Sequence, residues 1–345
     1  MSDWSTCLRA LSAGRGLTSE QAAWAMGQVM TGQATPAQIA GFAMALRTKG
    51  ETVHEIAGLV EAVMSNALRV PLQGTAVDVV GTGGDGAHTV NISTMAALVV
   101  VGAGVPVLKH GNRAISSRAG TADTLEALGV RLDVAPDRVG TCLAQAGMAF
   151  CFAPAHHPGF RHAGPVRKEL GVPTVFNVLG PLCNPGQPPA ALIGCSDLRL
   201  APLLADVQRD RGFSAVVVHS DQGLDEISTE GVTQVWDATT HEVRHEVFVA
   251  EHLGLIPASL EDLRGGLAEE NAQVVRSLLA GDRTGRLAAI RDVVLVNAAA
   301  ALVAVDATRS EHAYGSPQET FSQRVSRAIV DAAQSIDSGA AQRSL

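Results

Sequence analysis

Continuous apolar runs rich in β-branched residues alternate with helical stretches from about residue 77 onward, and this alternation limits the fold more than any other feature. The predicted strands are Val77–Val80, Val105–Leu108, Ala191–Ile193 and Ala215–Val218. The predicted helices are Ser93–Gly102, Thr121–Gly129 and Leu198–Arg211. Apolar strands separated by helices are typical of a parallel sheet buried on both faces. Val232–Trp236 and Val243–Val249 predict an additional strand pair. The pattern therefore predicts an α/β fold with a central, mostly parallel sheet flanked by helices.

The first seventy residues follow a different, helical pattern. Three capping boxes, in which a Thr hydroxyl and a Gln or Glu side chain bond each other's backbone amides, are found at Thr18–Gln21, Thr35–Gln38 and Thr52–Glu55. Gly32 and Gly50 stand where two of these helices should end. Helices this short must pack against one another, the rest of the chain or a second subunit. Near the other end of the chain, Ser316–Glu319 predicts one more helix start.

Composition narrows the class of protein and of partner. Hydrophobic residues are 46% and charged residues 17% of the chain, which is enough to bury a substantial core. The net charge of −8 and the 3% of aromatic residues disfavour a nucleic-acid partner. The longest apolar runs, Met95–Leu108 and Val293–Val305, fall short of the roughly 18 residues of a membrane span. Five cysteines without a CxxC pair, together with no sign of a secretory signal, predict free thiols and a cytoplasmic location.

A glycine-rich turn follows the first predicted strand. Gly81-Thr82-Gly83-Gly84-Asp85-Gly86 comes directly after Val80, and Asn91-Ile92-Ser93-Thr94 then opens a helix. Glycines let backbone N–H groups approach an anion, and a helix N-terminus carries partial positive charge. The segment lacks the GK[ST] of a Walker loop and the spacing of a dinucleotide fingerprint. It predicts a phosphate site, with a plain strand-to-helix turn as the alternative.

The second predicted strand ends in a similar way. Lys109-His110-Gly111-Asn112-Arg113, then Ser116-Ser117, then Gly120-Thr121 follow it within a few residues. The carboxyl ends of strands in open α/β sheets are where ligands bind. The chain has only three lysines, so the compact ammonium group of Lys109 is a candidate phosphate partner. The alternative is a solvated surface loop.

Three further groups of polar residues are candidates for binding. Asp225-Glu226, in the loop after Ala215–Val218, could hold Mg²⁺ beside a polyphosphate, although most such pairs are only exposed charge. Arg167, on the helix predicted over Gly164–Leu170, could bind a carboxylate bidentately or be structural. His241–His245 matches the HExxH zinc pattern, but its flanks read as strands, which would separate the two rings. Zinc is therefore not expected.

With GTGGD, NIST, KHGNRxxSS and the Asp-Glu pair in this order, together with Pro165-Val166-Arg167 and Gly180-Pro181-Leu182, the chain resembles the anthranilate phosphoribosyltransferase family almost end to end. The resemblance implies a helical domain over residues 1–72 on a larger catalytic α/β domain over residues 73–345. It implies homodimerisation through the helical part, joined by part of residues 164–190. It also implies transfer of the phosphoribosyl group of 5-phosphoribosyl 1-diphosphate (PRPP) to the amino group of anthranilate, with release of diphosphate, in tryptophan biosynthesis.

The resemblance assigns residues to three sites. PRPP would be bound by Gly81, Gly84, Asp85, Thr89, Asn91, Ile92, Ser93, Thr94, Lys109, His110, Gly111, Asn112, Arg113, Ala114, Ile115, Ser116, Ser117 and Thr121. Anthranilate would contact Gly81, Asn112 and Arg167, and Mg²⁺ would be held by Ser93, Asp225 and Glu226. No proton-transfer residue is assigned. The chain departs from the family pattern at Thr121, where serine is usual, at Cys183, where threonine is usual, and at His157–Phe160, near the acceptor.

Two other functions stay open at this stage. Pyrimidine nucleoside phosphorylases have a similar KHG…SS stretch but do not need the Asp225-Glu226 metal pair. A non-catalytic, nucleic-acid-binding paralogue would need a basic groove, which the net charge of −8 disfavours.

Overall fold

The sheet runs through the larger part of the molecule. The structure, a computed structural model, describes residues 2–114 and 118–345, and Ile115, Ser116 and Ser117 lie outside the described residues. The strands are β1 (Val77–Gly81), β2 (Val107–Gly111), β3 (Met148–Phe152), β4 (Ala190–Gly194), β5 (Ser214–Ser220), β6 (Thr233–Ala238) and β7 (Arg244–Phe248). They form one sheet in the order β3-β2-β1-β4-β5-β6-β7. The first five strands in that order are parallel, and β5-β6-β7 are antiparallel, so the predicted mostly parallel sheet and its added strand pair are confirmed.

Helices cover both faces of the sheet and form the N-terminal region. They are α1 (Trp4–Ser12), α2 (Ser19–Met30), α3 (Pro36–Lys49), α4 (Val53–Ser65), α5 (Ile92–Gly102), α6 (Thr121–Ala127), α7 (Pro136–Ala146), α8 (Ala153–His156), α9 (Gly164–Leu170), α10 (Ala201–Asp210), α11 (Ala268–Leu279), α12 (Leu287–Asp306), α13 (Phe321–Asp337) and α14 (Ala340–Arg343). All three predicted capping boxes are present, at the starts of α2, α3 and α4. Gly50 ends α3 with a φ of 89°, a value that suits glycine. The predicted N-terminal helical region is therefore confirmed.

Two large apolar clusters lie on opposite faces of the sheet. Val77 and Val79 of β1 point into a cluster with α5, α11, α12 and α13, whereas Val80 points into the other. That second cluster is continuous from α1–α4 through α10 to Ala191 and Ile193 of β4. The N-terminal helices therefore share a hydrophobic core with the sheet.

The long helix α12 corrects an expectation from the sequence. By length and composition, this helix of 20 residues with a mean hydropathy of 1.9 is sufficient to cross a membrane. However, 89% of its apolar window is buried inside the protein. It packs against α5, α13 and β4, as the core helix of a globular domain does.

Two elements were missed by the sequence analysis, and two local predictions need adjustment. Strand β3 and helix α1, which Asp3 caps through a 2.8 Å bond from the Thr6 amide, were not predicted. Ser316–Glu319 forms a turn, and α13 begins only after the N-cap residue Thr320. Strand β2 begins later than predicted and contains Lys109 and His110. The HExxH segment runs into strand β7, as expected from its flanks, and His245 stacks on Trp236 with ring centroids 5.0 Å apart. All five cysteines are described, and all are free.

Candidate active site

A cavity of about 890 Å³ opens at the carboxyl ends of β1 and β2 and is closed on its other side by α9. Most of the residues that the sequence assigned to binding line it: Gly81, Gly84, Asp85, Thr89, Asn91, Ile92, Ser93, Lys109, His110, Gly111, Asn112, Arg113, Ala114, Thr121, Arg167, Asp225 and Glu226. Thr94 differs because its position in the first turn of α5 points it into the core, where it is fully buried. Residues from four separate segments of the chain thus converge on one cavity.

The glycine-rich turn is shaped by the backbone and carboxylate of Asp225. The Gly83 amide donates a 2.7 Å hydrogen bond to Asp225 Oδ2. A Cβ on Gly81 would lie 2.1 Å from that oxygen, and a Cβ on Gly194 would lie 1.5 Å from the Asp225 carbonyl oxygen. Both positions therefore require glycine for the Asp225 loop to approach the turn.

The N-terminus of α5 is not capped by its own N-cap residue, but it receives a carboxylate from another segment of the chain. Asn91 makes no side-chain capping bond, and the first turn holds no acidic residue. The Ser93 amide donates to Glu226 Oε1 at 3.1 Å. Because these N–H groups carry the partial positive charge of the helix, this end of α5 suits an anion.

Lys109 lies inside strand β2 and is only 1% exposed, so the alternative of a solvated surface loop is wrong. Its ammonium group donates to the Val79 carbonyl oxygen and, at 3.2 Å, to Ser93 Oγ. Burial lowers the pKa of Lys109, and the nearby Asp78, Glu226 and Asp225 carboxylates oppose that shift. The ammonium group is held directly between the strand ends and the start of α5.

The Asp225-Glu226 pair lies in the loop after β5, as predicted. Burial, followed by the charge of Asp85, raises the pKa of Asp225 to about 7. Burial, followed by the charge of Asp225, raises the pKa of Glu226 well above its usual value. Because the two carboxylates lie close together, their ionised forms are unfavourable. A divalent cation bound between them would stabilise those ionised forms.

Mg²⁺ fits this donor set only with help from a ligand. Among residues 2–114 and 118–345, no three His, Cys, Asp or Glu side chains gather into a complete metal site. Mg²⁺ is usually bound by one or two carboxylates together with substrate phosphates and water. The Ser93 hydroxyl, which also lines the cavity, could add one more oxygen.

The β2–α6 turn is organised by Asp123, the third residue of α6. Its carboxylate accepts from the Ala114 and Gly120 amides at 3.0 and 2.9 Å and from Arg113 at 2.9 Å. Arg113 also pairs with Glu126. Arg113 therefore lines the cavity with its charge already balanced, while the assigned Ile115, Ser116 and Ser117 lie outside the described residues.

Arg167 reaches the cavity from α9, on the side opposite the sheet. Its guanidinium lies over the Phe176 ring, 5.7 Å from the centroid, and burial lowers its pKa. In the described part of the chain no carboxylate forms an ion pair with it, unlike Arg113. A half-buried, unpaired guanidinium beside an aromatic ring is suited to bind a carboxylate from outside the protein.

His110 is also part of the cavity wall, as a neutral imidazole. Burial lowers its pKa to about 3, and its Nδ1 lies 3.0 Å from the Gly180 carbonyl oxygen. Since a carbonyl can only accept, Nδ1 carries the proton. The ring packs against His157, 5.2 Å between centroids, so the varied His157–Phe160 segment reaches the cavity through this contact.

Sequence reasoning missed several residues of the site. Val172, Pro173 and Asn177 line the cavity beside Arg167 but carry no recognisable motif. Asn271, far along the chain on α11, bonds the side chain of Asn91 at 2.9 Å. Buried Asp78 accepts from the His110 amide at 3.2 Å and from Asn184 at 2.9 Å. Asp78 lies in β1, three residues before Gly81, so an acidic residue inside an apolar strand was the available signal.

Comparisons with known proteins cover almost the whole chain. Residues 5–67 match the model of the glycosyl transferase family helical bundle domain, and residues 73–342 match that of the glycosyl transferase family a/b domain. The anthranilate phosphoribosyltransferase of Salinispora arenicola is 56% identical over 99% of this chain and 94% of the relative. That of Mycobacterium leprae is 49% identical over 99% of this chain and 92% of the relative.

Solved structures agree with the sequence relatives. The anthranilate phosphoribosyltransferase of Thermus thermophilus superposes with a TM-score of 0.87 at 38% identity, over 97% of this chain and 96% of that one. The Saccharomyces cerevisiae enzyme in complex with PRPP and Mg gives a TM-score of 0.86 at 28% identity, over 99% and 95%. From its cavity, its fold and these relatives, the chain belongs to the anthranilate phosphoribosyltransferase family.

Proposed function

We propose that this chain transfers the phosphoribosyl group of PRPP to the amino group of anthranilate, giving N-(5-phosphoribosyl)anthranilate and diphosphate, in tryptophan biosynthesis. One observation supports it most: an anion-binding strand edge and an unpaired guanidinium lie on opposite walls of a single cavity. PRPP is a polyanion with a sugar, and anthranilate carries one carboxylate. The two walls match the two substrates.

The strand edge is proposed to bind PRPP. The glycine turn lets the backbone approach an anion, the start of α5 carries the partial positive charge of the helix, and Lys109 supplies a buried positive charge. The remaining assigned residues line the same wall, except for the buried Thr94 and the three residues outside the described part. Loss of diphosphate leaves positive charge on the ribose ring, as in glycoside hydrolysis. Donors already fixed around the leaving group stabilise its developing charge without reorganisation.

Ser93, Asp225 and Glu226 are proposed to hold Mg²⁺ against the diphosphate. When bound, the ion would neutralise charge that builds up on the leaving group. The residues themselves place two carboxylates beside the glycine turn and fix them through the Gly83 and Ser93 amides.

Arg167, Asn112 and Gly81 are proposed to bind anthranilate. Arg167 faces its carboxylate, so that the amino group points across the cavity toward the ribose. The aromatic amine is a neutral nucleophile at pH 7, which means that positioning matters more than a dedicated base. No residue is assigned to proton transfer.

The experiment follows anthranilate fluorescence with purified protein. We expect it to fall only when PRPP and Mg²⁺ are both present, and to stay constant when either is omitted. A parallel reaction with thymidine and inorganic phosphate tests phosphorolysis. Thymine release without anthranilate consumption would contradict the proposed function.

The proposal extends to assembly and location. Residues 1–72, with part of 164–190, form the proposed homodimer surface and residues 73–345 the catalytic domain. Trp4 and Leu8 of α1 are apolar and only partly covered, which supports a partner there. Sedimentation equilibrium should give twice the mass of 35.7 kDa, and a monomer at micromolar concentration would contradict this.

Five free thiols support a reducing, cytoplasmic location.

A further inference from the structure

A chain of hydrogen bonds joins the cavity to a distant helix. Asn91, immediately before α5, lines the cavity, and Asn271 is a buried residue of α11. Asn271 Nδ2 donates to Asn91 Oδ1 at 2.9 Å, and the Thr124 hydroxyl donates to the same oxygen at 2.7 Å. None of the sequence motifs includes Asn271.

A backbone amide fixes the orientation of both side chains. The Gly266 N–H, which can only donate, bonds Asn271 Oδ1 at 2.8 Å. The Asn271 oxygen therefore faces Gly266, and its NH₂ group must face Asn91. Since an NH₂ group only donates, the Asn91 atom that meets it is the oxygen.

The consequence is that Asn91 has only its NH₂ group left for other partners. One N–H is directed at the Ala119 carbonyl oxygen, at a long 3.4 Å. Within residues 2–114 and 118–345 the other has no partner. A cavity-lining N–H donor suits an anionic oxygen, whereas the reverse orientation would present a carbonyl oxygen and repel it.

The segment that Asn271 holds also supports the glycine turn. The Gly265 amide donates to the His88 carbonyl oxygen and the Val90 amide to the Leu263 carbonyl oxygen, both at 2.8 Å. A Cβ on Gly265 would lie 2.5 Å from the Thr89 carbonyl oxygen, so the two segments approach closely. Through Gly266, Asn271 joins this contact to the start of α5.

We propose that Asn271 is a positioning residue that sets the polarity of Asn91, so that Asn91 presents an N–H donor to a phosphate oxygen of PRPP. This inference rests on the proposed function, because it concerns the same anion-binding wall. Asn271 itself does not line the cavity and acts through Asn91.

The test is Asn271→Asp, which is nearly the same size. The aspartate keeps an acceptor for Gly266 but places a second oxygen against Asn91 Oδ1, which favours a flip of the Asn91 amide. We expect the Kd for PRPP, measured by calorimetry with Mg²⁺ and without anthranilate, to rise about tenfold, the effect of one lost charge-assisted hydrogen bond. The KM for anthranilate should stay within twofold. Gln273→Ala, an exposed change on the same helix, is the matched control and should bind PRPP like the wild type.

A double-mutant cycle separates positioning from general structure. In an Asn91→Ala background no amide remains to be oriented, so Asn271→Asp should add almost nothing to the Kd for PRPP. Equal losses in both backgrounds, or a wild-type Kd for Asn271→Asp alone, would overturn the proposal. If Asn271→Asp cannot be purified folded, Asn271→Ala removes the donor to Asn91 Oδ1 without adding an oxygen and should raise the Kd about threefold. An unchanged Kd for Asn271→Ala would then overturn it. A wild-type protein that binds no PRPP would instead refute the proposed function.

Discussion

The two walls of the cavity, the strand edge and the wall formed by α9, differ in how their charged groups are bound. On the strand edge, Lys109, Asp225 and Glu226 are crowded together, and protein groups bind each of them. On the helical wall, Arg167 lies against an aromatic ring and forms no ion pair within residues 2–114 and 118–345, with the exposed Lys168 next to it in the chain. A substitution on the strand edge should therefore disturb several contacting residues at once. A substitution on the helical wall should affect the binding of one substrate.

The largest effect is expected from Asp225→Asn combined with Glu226→Gln. The double change removes both charged candidate ligands, so kcat/KM should fall about a thousandfold and the dependence on Mg²⁺ should disappear. A Mg²⁺ titration of turnover measures this. Asp221→Asn, an exposed change near the start of the same loop, is the control. If the double variant gave the same Mg²⁺ titration as the wild type, Asp225 and Glu226 would not be the Mg²⁺ ligands.

Gly194→Ala tests the crowding without touching a charge. The new Cβ would lie 1.5 Å from the Asp225 carbonyl oxygen, so the loop must move. We expect the free energy of unfolding to fall by about 3 kcal/mol and kcat/KM to fall about a hundredfold. Urea unfolding and steady-state kinetics measure the two effects.

The matched control for this change is Gly27→Ala in α2. A Cβ there meets no atom within 4 Å, and alanine favours a helix over glycine by about 1 kcal/mol. This variant should be slightly more stable than the wild type. Wild-type kinetics for Gly194→Ala would show that the wall tolerates displacement.

Arg167→Ala tests the selectivity of the helical wall. Loss of the guanidinium should raise the KM for anthranilate about 30-fold, or about 2 kcal/mol, while the KM for PRPP stays within twofold. Arg161→Ala, at an exposed arginine on the preceding turn, is the control. Equal changes in the KM values for anthranilate and for PRPP would contradict the proposed selectivity of the helical wall.

The smallest effect is expected from Arg113→Ala. Its guanidinium is half exposed and already paired with Asp123 and Glu126, so its field at the cavity is largely compensated. The KM for PRPP should rise at most about threefold, with a small fall in Tm. A rise of a hundredfold would mean that Arg113 leaves its carboxylates to bind substrate.

The sequence predicted those parts of the fold that depend on local signals. Capping boxes located three helix starts correctly because their hydrogen bonds involve residues only three apart. Strand β3 was missed since Met148–Phe152 contains no β-branched residue and is a strand only by pairing with β2. Ser316–Glu319 has the residues of a cap, but the neighbouring box at Thr320 starts the helix.

For the site, the sequence predicted residues that carry motifs and missed those that act through long-range contacts. The burial of Lys109 depends on α5 covering the end of β2, which no local pattern contains. The bond between Asn91 and Asn271 joins residues 180 positions apart. The neutralisation of Arg113 by Asp123 and Glu126 likewise emerges only once α6 has formed.

The late position of α12 in the chain has a consequence for biosynthesis. All seven strands precede residue 287, yet α12 covers one face of the sheet by packing on β1, β4 and β5. During translation, at roughly 5–20 residues per second, a nearly complete sheet is therefore made while the part of its apolar face that α12 covers is still exposed, although α5 and α11 already precede α12 in the chain. An mRNA truncated in that interval would yield an aggregation-prone polypeptide. We therefore expect the nascent chain to bind chaperones until α12 has been made.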